Sequence, residues 1–188
     1  MSNLPLVLLC GGQSRRMGQD KALLNFHGES LLARQLRAAG ARPCYVASAG
    51  RPYPLPPGVR PVADALPNHQ GPLAAWVGAL RALKADGCAQ GLLLPIDTLI
   101  TAPRLEEALR GPAPAPLVCI AGQPLFAWFS VDLLEILAAR LAKGERRLMP
   151  LLELPSARLV PVPADWPEPL NFNNPAQWQQ ILEYADEL

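Results

Sequence analysis

Short apolar runs of strand length alternate with longer amphipathic runs along this chain, and that alternation restricts the fold more than any single motif does. Leu6 to Cys10 has strand length and is closed by glycine, and Ser30 to Ala39 carries Leu31, Leu32 and Leu36 on one helical face before Gly40, a C-terminal cap. Cys44 to Ala49 reads as a strand, Pro52 to Pro61 as a stiff connector, and Val62 as the centre of a short extended piece. Gly71-Pro72 opens a second helix with proline at the favoured first position, and Leu73, Trp76, Val77, Leu80 and Leu83 recur at helical spacing until Gly87. Gly91 to Pro95 predicts a buried strand ending at Ile96-Asp97, and Pro103 to Arg110 a short helix closed by Gly111. Leu117 to Ile120 and Leu125 to Phe129 predict two further strands, followed by a helix over Val131 to Lys143 with Gly144 at its end. The tail adds a strand near Leu159 to Val162 and a helix from Pro175 to Glu187. Helix is also expected after Arg147, where an interior Pro150 would cost about 3 kcal/mol unless the helix starts late or bends. Such an order implies a three-layer α/β fold with a mostly parallel central sheet covered on both faces.

Composition narrows the function classes. At 188 residues, half of them hydrophobic and 18% charged, the chain suits one compact domain over residues 1–188. Seventeen basic against sixteen acidic residues leave a net charge of +1, and no basic face carries interleaved aromatics, so a nucleic-acid partner is not expected. Twenty-two prolines stand where about nine would be usual, which predicts stiff loops. Cys10, Cys44, Cys88 and Cys119 form no C-x-x-C pair, so neither a zinc site nor a disulfide framework is indicated. The first apolar run lacks a basic flank and stops at Gly11-Gly12, too short for an export signal or a membrane span; the expectation is a cytoplasmic protein with reduced thiols.

Chemistry concentrates in Leu8-Leu9-Cys10-Gly11-Gly12-Gln13-Ser14-Arg15-Arg16-Met17-Gly18-Gln19-Asp20-Lys21. In alternating folds ligands gather beyond the carboxyl ends of parallel strands, and this loop leaves the first strand. Paired glycines expose backbone amides to an anion, while Ser14, Arg15, Arg16 and Lys21 add donors and three positive charges within seven residues. The chemistry suits a triphosphate, yet the spacing matches neither the Walker loop nor the dinucleotide fingerprint. By spacing alone Asp97 serves equally as a capping aspartate before Pro103, and Asp64 as a turn residue before Pro67. His27 and His69 are isolated, and Cys10 reads as a packing residue at a strand end.

The loop resembles the signature of the molybdenum cofactor guanylyltransferase (MobA) family, within the nucleotidyltransferases of Rossmann-like fold. Further matches follow in order: Asp64 with Gly71-Pro72-Leu73-Ala74, Pro95-Ile96-Asp97-Thr98, Gln123-Pro124-Leu125-Phe126-Ala127, Gly144-Glu145-Arg146-Arg147 and Asn171-Phe172-Asn173-Asn174-Pro175. The resemblance implies transfer of GMP from GTP to the phosphate of molybdenum-bearing molybdopterin, with release of pyrophosphate. It implies that the stretch from Leu9 to Gly18 holds the nucleotide together with Ser48, Asp64 and Gly71, and that Lys21, Arg15 and Asp97 form the catalytic set. Asp97 would bind Mg2+, as magnesium takes one or two carboxylates plus phosphates and waters. Asn171 and Asn173 would face the pterin; Arg146 either joins them at the substrate phosphate or compensates a helix C-terminus. A cofactor-synthesis protein or a recipient molybdoenzyme is the implied protein partner.

Some positions depart from the family pattern. Ser48 stands where the guanylyltransferases offer asparagine, Leu99 where they favour proline, and the segment from Cys119 to Gln123 is short and uncharged. Two alternatives therefore stay open: a cytidylyltransferase or other small-phosphate nucleotidyltransferase, and a nucleotide-binding partner protein without turnover.

Overall fold

The computed structural model of the chain describes residues 4–11, 17–67, 71–111 and 115–186. Its elements are β1 (Leu6–Leu9), β2 (Asn25–Phe26), β3 (Glu29–Ser30), α1 (Leu31–Ala39), β4 (Cys44–Ala47), β5 (Val59–Val62) and α2 (Pro72–Ala85). There follow β6 (Gln90–Pro95), α3 (Ala102–Leu109), β7 (Leu117–Ile120), β8 (Gln123–Ser130), α4 (Leu133–Ala142), β9 (Ala157–Val160) and α5 (Pro175–Asp186). Seven strands form one sheet in the order β5-β4-β1-β6-β8-β7-β9, and β2 with β3 forms a separate hairpin.

All four residues of β1 are buried, because successive side chains enter two different cores. Leu6 and Leu8 join one cluster, which α1, α3 and α5 cover with Leu31, Leu105 and Ile181. Val7 and Leu9 join the other, which α2 and α4 cover with Trp76, Leu80 and Leu137. Strand β6 splits in the same way, Leu92 and Leu94 to the first core and Leu93 to the second. The sheet is thus the middle of three layers, and the expected α/β sandwich is present. Strands β5, β4, β1 and β6 run parallel, and β8 alone runs against its neighbours.

Several boundaries differ from the sequence expectation for physical reasons. Strand β4 stops at Ala47 because Ala49 and Gly50 take positive φ angles of 54° and 81°, which turn the chain out of the sheet. Pro61 lies inside β5, tolerated because β5 is an edge strand with β4 as its one partner. The ninth strand spans Ala157–Val160 rather than 159–162, its register set by pairing of Leu117 with Ala157 and Ile120 with Val160. After Arg147 a short 3-10 turn, Met149–Glu153, replaces the expected α-helix, and Pro150 sits in its first turn, where a missing N–H costs nothing.

The topology selects one edge for a site. From β1 the chain crosses to β4, on one side, through α1; from β6 it crosses to β7, on the other side, through α3. The crevice beyond the carboxyl ends of β1 and β6 is therefore a topological switch point, where open α/β sheets bind ligands. Packing is tight beside it: a Cβ on Gly78 of α2 would stand 2.1 Å from the Ala63 carbonyl oxygen at the exit of β5. Gly78→Ala is expected to force α2 and that exit apart and to destabilise the fold by about 1–3 kcal/mol in urea unfolding. An unchanged midpoint would count against this close approach.

Candidate active site

Lys21 opens a 3-10 turn, Lys21–Leu23, at the end of the glycine loop, and its ammonium meets three oxygens. Nζ lies 2.7 Å from Asp97 Oδ2, 2.7 Å from the Phe172 carbonyl and 2.9 Å from Asn173 Oδ1. The Phe172 ring adds a cation–π contact at 5.6 Å from Nζ. Lys21 and Asp97 are only 13% and 16% exposed in their side chains, so water screens the pair weakly. Three segments far apart in sequence meet at this one cation: the exit of β1, the exit of β6 and the strap that leads into α5.

Each segment is held by its own local chemistry. Beyond β6, Thr98 Oγ1 accepts from Ile100 N–H at 3.1 Å, and the buried Gln35 of α1 donates to the Thr98 and Ile100 carbonyls at 3.0 and 2.9 Å. Leu99 points into the hydrophobic core, 7% exposed, and not into the crevice. The strap is pinned to the β6 exit by Phe172 N–H on the Asp97 carbonyl at 3.0 Å, and the Phe172 ring packs at a tilt against Trp178 with centroids 4.7 Å apart. Asn174 caps α5, its Oδ1 accepting from Gln177 N–H at 2.9 Å with Pro175 at the first helical position, while Gln177 Oε1 accepts from Asn173 N–H at 2.7 Å. The sequence N-N-P-x-Q thus orients Asn173 before any ligand arrives.

Asp20 joins Lys21 to the β4 exit. Its Oδ1 accepts from Ala22 N–H at 3.0 Å, and its Oδ2 accepts from Arg51 at 2.7 Å and from the Tyr53 hydroxyl at 2.8 Å. Burial, then the Asp20 carboxylate, pushes the Tyr53 phenol well above its ordinary value, so it stays a neutral donor. Burial likewise pushes the Cys10 thiol far up, which removes it as a nucleophile and supports its packing role.

Ser48 and Asp64, expected to face the nucleotide, line one cleft of about 560 Å³ with Ala49, Gly50, Arg51 and Leu66. Gly11 closes against it: a Cβ there would stand 3.0 Å from Ala49 Cβ, so glycine permits the contact between the β1 and β4 exits. Gly71 takes φ 91° as the residue before α2, a conformation natural to glycine alone. Met17 is buried in the first core beside α1 and Gly18 takes φ 69°. Gly12, Gln13, Ser14, Arg15 and Arg16 lie outside the described residues, as does His69. Asn171 is half-buried at the start of the strap, one residue before Phe172. Arg146 donates to the Leu141 and Glu145 carbonyls at 3.0 and 2.8 Å, the contacts of a helix C-terminus, at the end of α4.

The structure thus brings Lys21, Asp97 and Asn173 into one group and Ser48 and Asp64 into one cleft. Sequence reasoning missed Gln35, Asp20, Tyr53 and the Phe172 carbonyl. A polar Gln35 on the apolar face of α1 was the legible signal for the first and the glycine-loop run itself for Asp20, while nothing local marked Tyr53 or the Phe172 carbonyl. Among the described residues no cluster of three or more His, Cys, Asp or Glu could hold a metal. Instead one carboxylate, one carbonyl and one amide oxygen converge on a cation, an all-oxygen set that fits a small hard ion drawing its remaining ligands from phosphates and water.

Comparison with known proteins bears on the family and the fold. Residues 6–160 match the MobA-like NTP transferase domain. The molybdenum cofactor guanylyltransferase of Rhizobium meliloti (strain 1021) is 31% identical over 197 residues, covering 94% of this chain and 89% of that protein. The crystal structure of molybdopterin-guanine dinucleotide biosynthesis protein A from Archaeoglobus fulgidus superposes with a TM-score of 0.78 at 18% identity, covering 98% of this chain and all of that one. A protein of Mycobacterium tuberculosis H37Rv, solved in complex with manganese, superposes with a TM-score of 0.60 at 20% identity and covers 97% of this chain and 99% of that one.

The Lys21–Asp97 contact carries its own prediction. A double-mutant cycle of Lys21→Ala and Asp97→Ala, read by urea unfolding, is expected to return a coupling of about 1–3 kcal/mol, as for charged neighbours shielded from water. Additive losses would mean that the two groups do not meet in solution.

Proposed function

The chain belongs to the MobA-like NTP transferase domain family, and from that premise we propose that it transfers GMP from GTP to the phosphate of molybdenum-molybdopterin, releasing pyrophosphate. The observation that carries the reading is the meeting of Lys21, Asp97 and Asn173 at the switch point, beside the cleft that Ser48 and Asp64 line. A cleft of that size suits a small ligand.

The reaction joins two anions, so the protein must neutralise charge and align attacker with leaving group more than it must move protons. An oxygen of the acceptor phosphate forms a bond to the α-phosphorus as the bond from that phosphorus to the bridging oxygen of pyrophosphate breaks. The backbone from Leu9 to Gly12, with Gln13 to Gly18 after it, cradles the nucleotide, and Arg15 and Lys21 neutralise the phosphates. Ser48, Asp64 and Gly71 border the base and ribose. Lys21, on a flexible four-carbon stem, exchanges its resting contact with Asp97 for the triphosphate. Asp97 would hold Mg2+, supported by the oxygen set around it; bound there, magnesium supplies the charge that offsets pyrophosphate as it leaves. Asn173 and Asn171 face the pterin side, and Arg146 completes that side or serves α4 alone.

In this reading residues 1–188 act as one domain in the cytoplasm, and the product passes to a cofactor-synthesis protein or a recipient molybdoenzyme. Among the described residues no helix is long and apolar enough to cross a membrane.

Calorimetric titration of GTP, CTP and ATP in the presence of Mg2+ tests the reading. GTP is expected to bind selectively, with binding weakened at least tenfold by Lys21→Ala, and Asp97→Ala is expected to abolish GMP transfer to the pterin. Selective CTP binding would redirect the proposal to cytidylyl transfer. No nucleotide binding by folded protein would remove the enzyme reading.

A further inference from the structure

The nucleotide reading employs Lys21 but leaves unexplained a carboxylate directly before it. An anion beside a triphosphate loop opposes binding by simple Coulomb repulsion. Asp20 nevertheless stands there, and both of its oxygens are committed: Oδ1 to Ala22 N–H at 3.0 Å, Oδ2 to Arg51 at 2.7 Å and Tyr53 at 2.8 Å. The first bond makes Asp20 the cap of the three-residue turn that carries Lys21. The other two reach across to the connector that leaves β4, on the border of the cleft that Ser48 lines. The Tyr53 hydroxyl also stands 3.5 Å from the Cys10 carbonyl, so one phenol lies between the end of β1 and the turn that begins at Lys21.

An isolated turn of three residues does not hold its own shape, since fixing its dihedrals gains few hydrogen bonds. The lysine stem is long and rotationally free, so where the ammonium stands depends on where the turn is anchored. The three oxygens around Lys21 Nζ come from β6 and the strap and fix the destination but not the origin. The burial of Ala22 and Leu24 holds the far end of the turn in the core, and the Asp20 contacts tie its beginning to the β4 exit.

We propose that Asp20, clasped by Arg51 and Tyr53, is a positioning residue that acts through Lys21, setting the place of its ammonium for the triphosphate. The proposal rests on the nucleotidyl reading for its ligand and on the hydrogen-bond geometry for its mechanism. Displacement of a catalytic group by about 1 Å can cost on the order of a hundredfold in rate, so the clasp offsets the repulsion that its carboxylate introduces.

The sign of the effect separates this role from a purely electrostatic one. Wild type, Asp20→Ala and Tyr53→Phe are titrated with GTP and with GMP; Tyr53→Phe keeps the ring and removes only the hydroxyl with its contacts to Asp20 and the Cys10 carbonyl, which guards against loss of fold in the first variant. The expected result is GTP affinity lowered about tenfold in Asp20→Ala and severalfold in Tyr53→Phe, with GMP affinity held within twofold, because Lys21 addresses the phosphates that GMP lacks. Equal losses for both nucleotides, or a gain in both on removing the negative charge, would overturn the proposal. A second readout needs no nucleotide: the Lys21–Asp97 coupling in unfolding, repeated in the Tyr53→Phe background, is expected to fall by half or more, and an unchanged coupling would overturn the clasp. Should wild type bind neither nucleotide, the guanylyl reading fails, and the coupling alone decides the clasp.

Discussion

A single ammonium surrounded by three oxygens organises the functional edge of this protein. Lys21 at the β1 exit, Asp97 at the β6 exit and the Phe172-Asn173 pair of the strap have no local reason to adopt their positions together. Much of the supporting detail serves that meeting. Gln35 holds the loop after Asp97 from the side of α1, Asn174 and Gln177 cap α5 so that the strap arrives in one orientation, and the Phe172 ring packs against Trp178 of α5.

The layers divide the labour. The core under α1, α3 and α5 contains the residues that brace the site, including Met17, Ile96, Leu99, Phe172 and Trp178. The core under α2 and α4 is more uniformly aliphatic, and it meets the site chiefly through the backbone contact at Gly78 and the turn at Gly71. Glycine matters at those points for two reasons: close approach at Gly11 and Gly78, positive φ at Gly71. The alternation of β1 side chains between the two cores packs the root of the glycine loop from both faces of the sheet.

Much of the architecture was legible. Strand-length apolar runs between amphipathic helices announced a covered, mostly parallel sheet, and glycine or proline at the ends placed α1, α2 and α5 closely. The departures have two causes, neighbouring strands and brevity. Strand β9 lies two residues earlier than its apolar content suggests because pairing with β7 sets its register. Pro61 sits within a strand because an edge position forgives a missing donor. The β2–β3 hairpin and the turns at Lys21 and Met149 are too short for any period to reveal. At the site, Lys21, Asp97 and Asn173 were singled out from residue type and family resemblance, whereas Asp20, though inside the glycine-loop run, was given no role, and Tyr53 carries no local pattern.

The sequence by itself determined the layer order, the basic glycine loop and the carboxylate at a strand end, because those depend on periodicity and on short-range backbone chemistry. The tertiary structure alone decided which of these groups meet. Lys21 and Asn173 lie 152 positions apart, and Asp20 and Tyr53 lie 33 apart. Contacts at such separations are set by strand order and by the switch point between β1 and β6, and sheet topology is a property of the whole packed chain that no local stretch encodes.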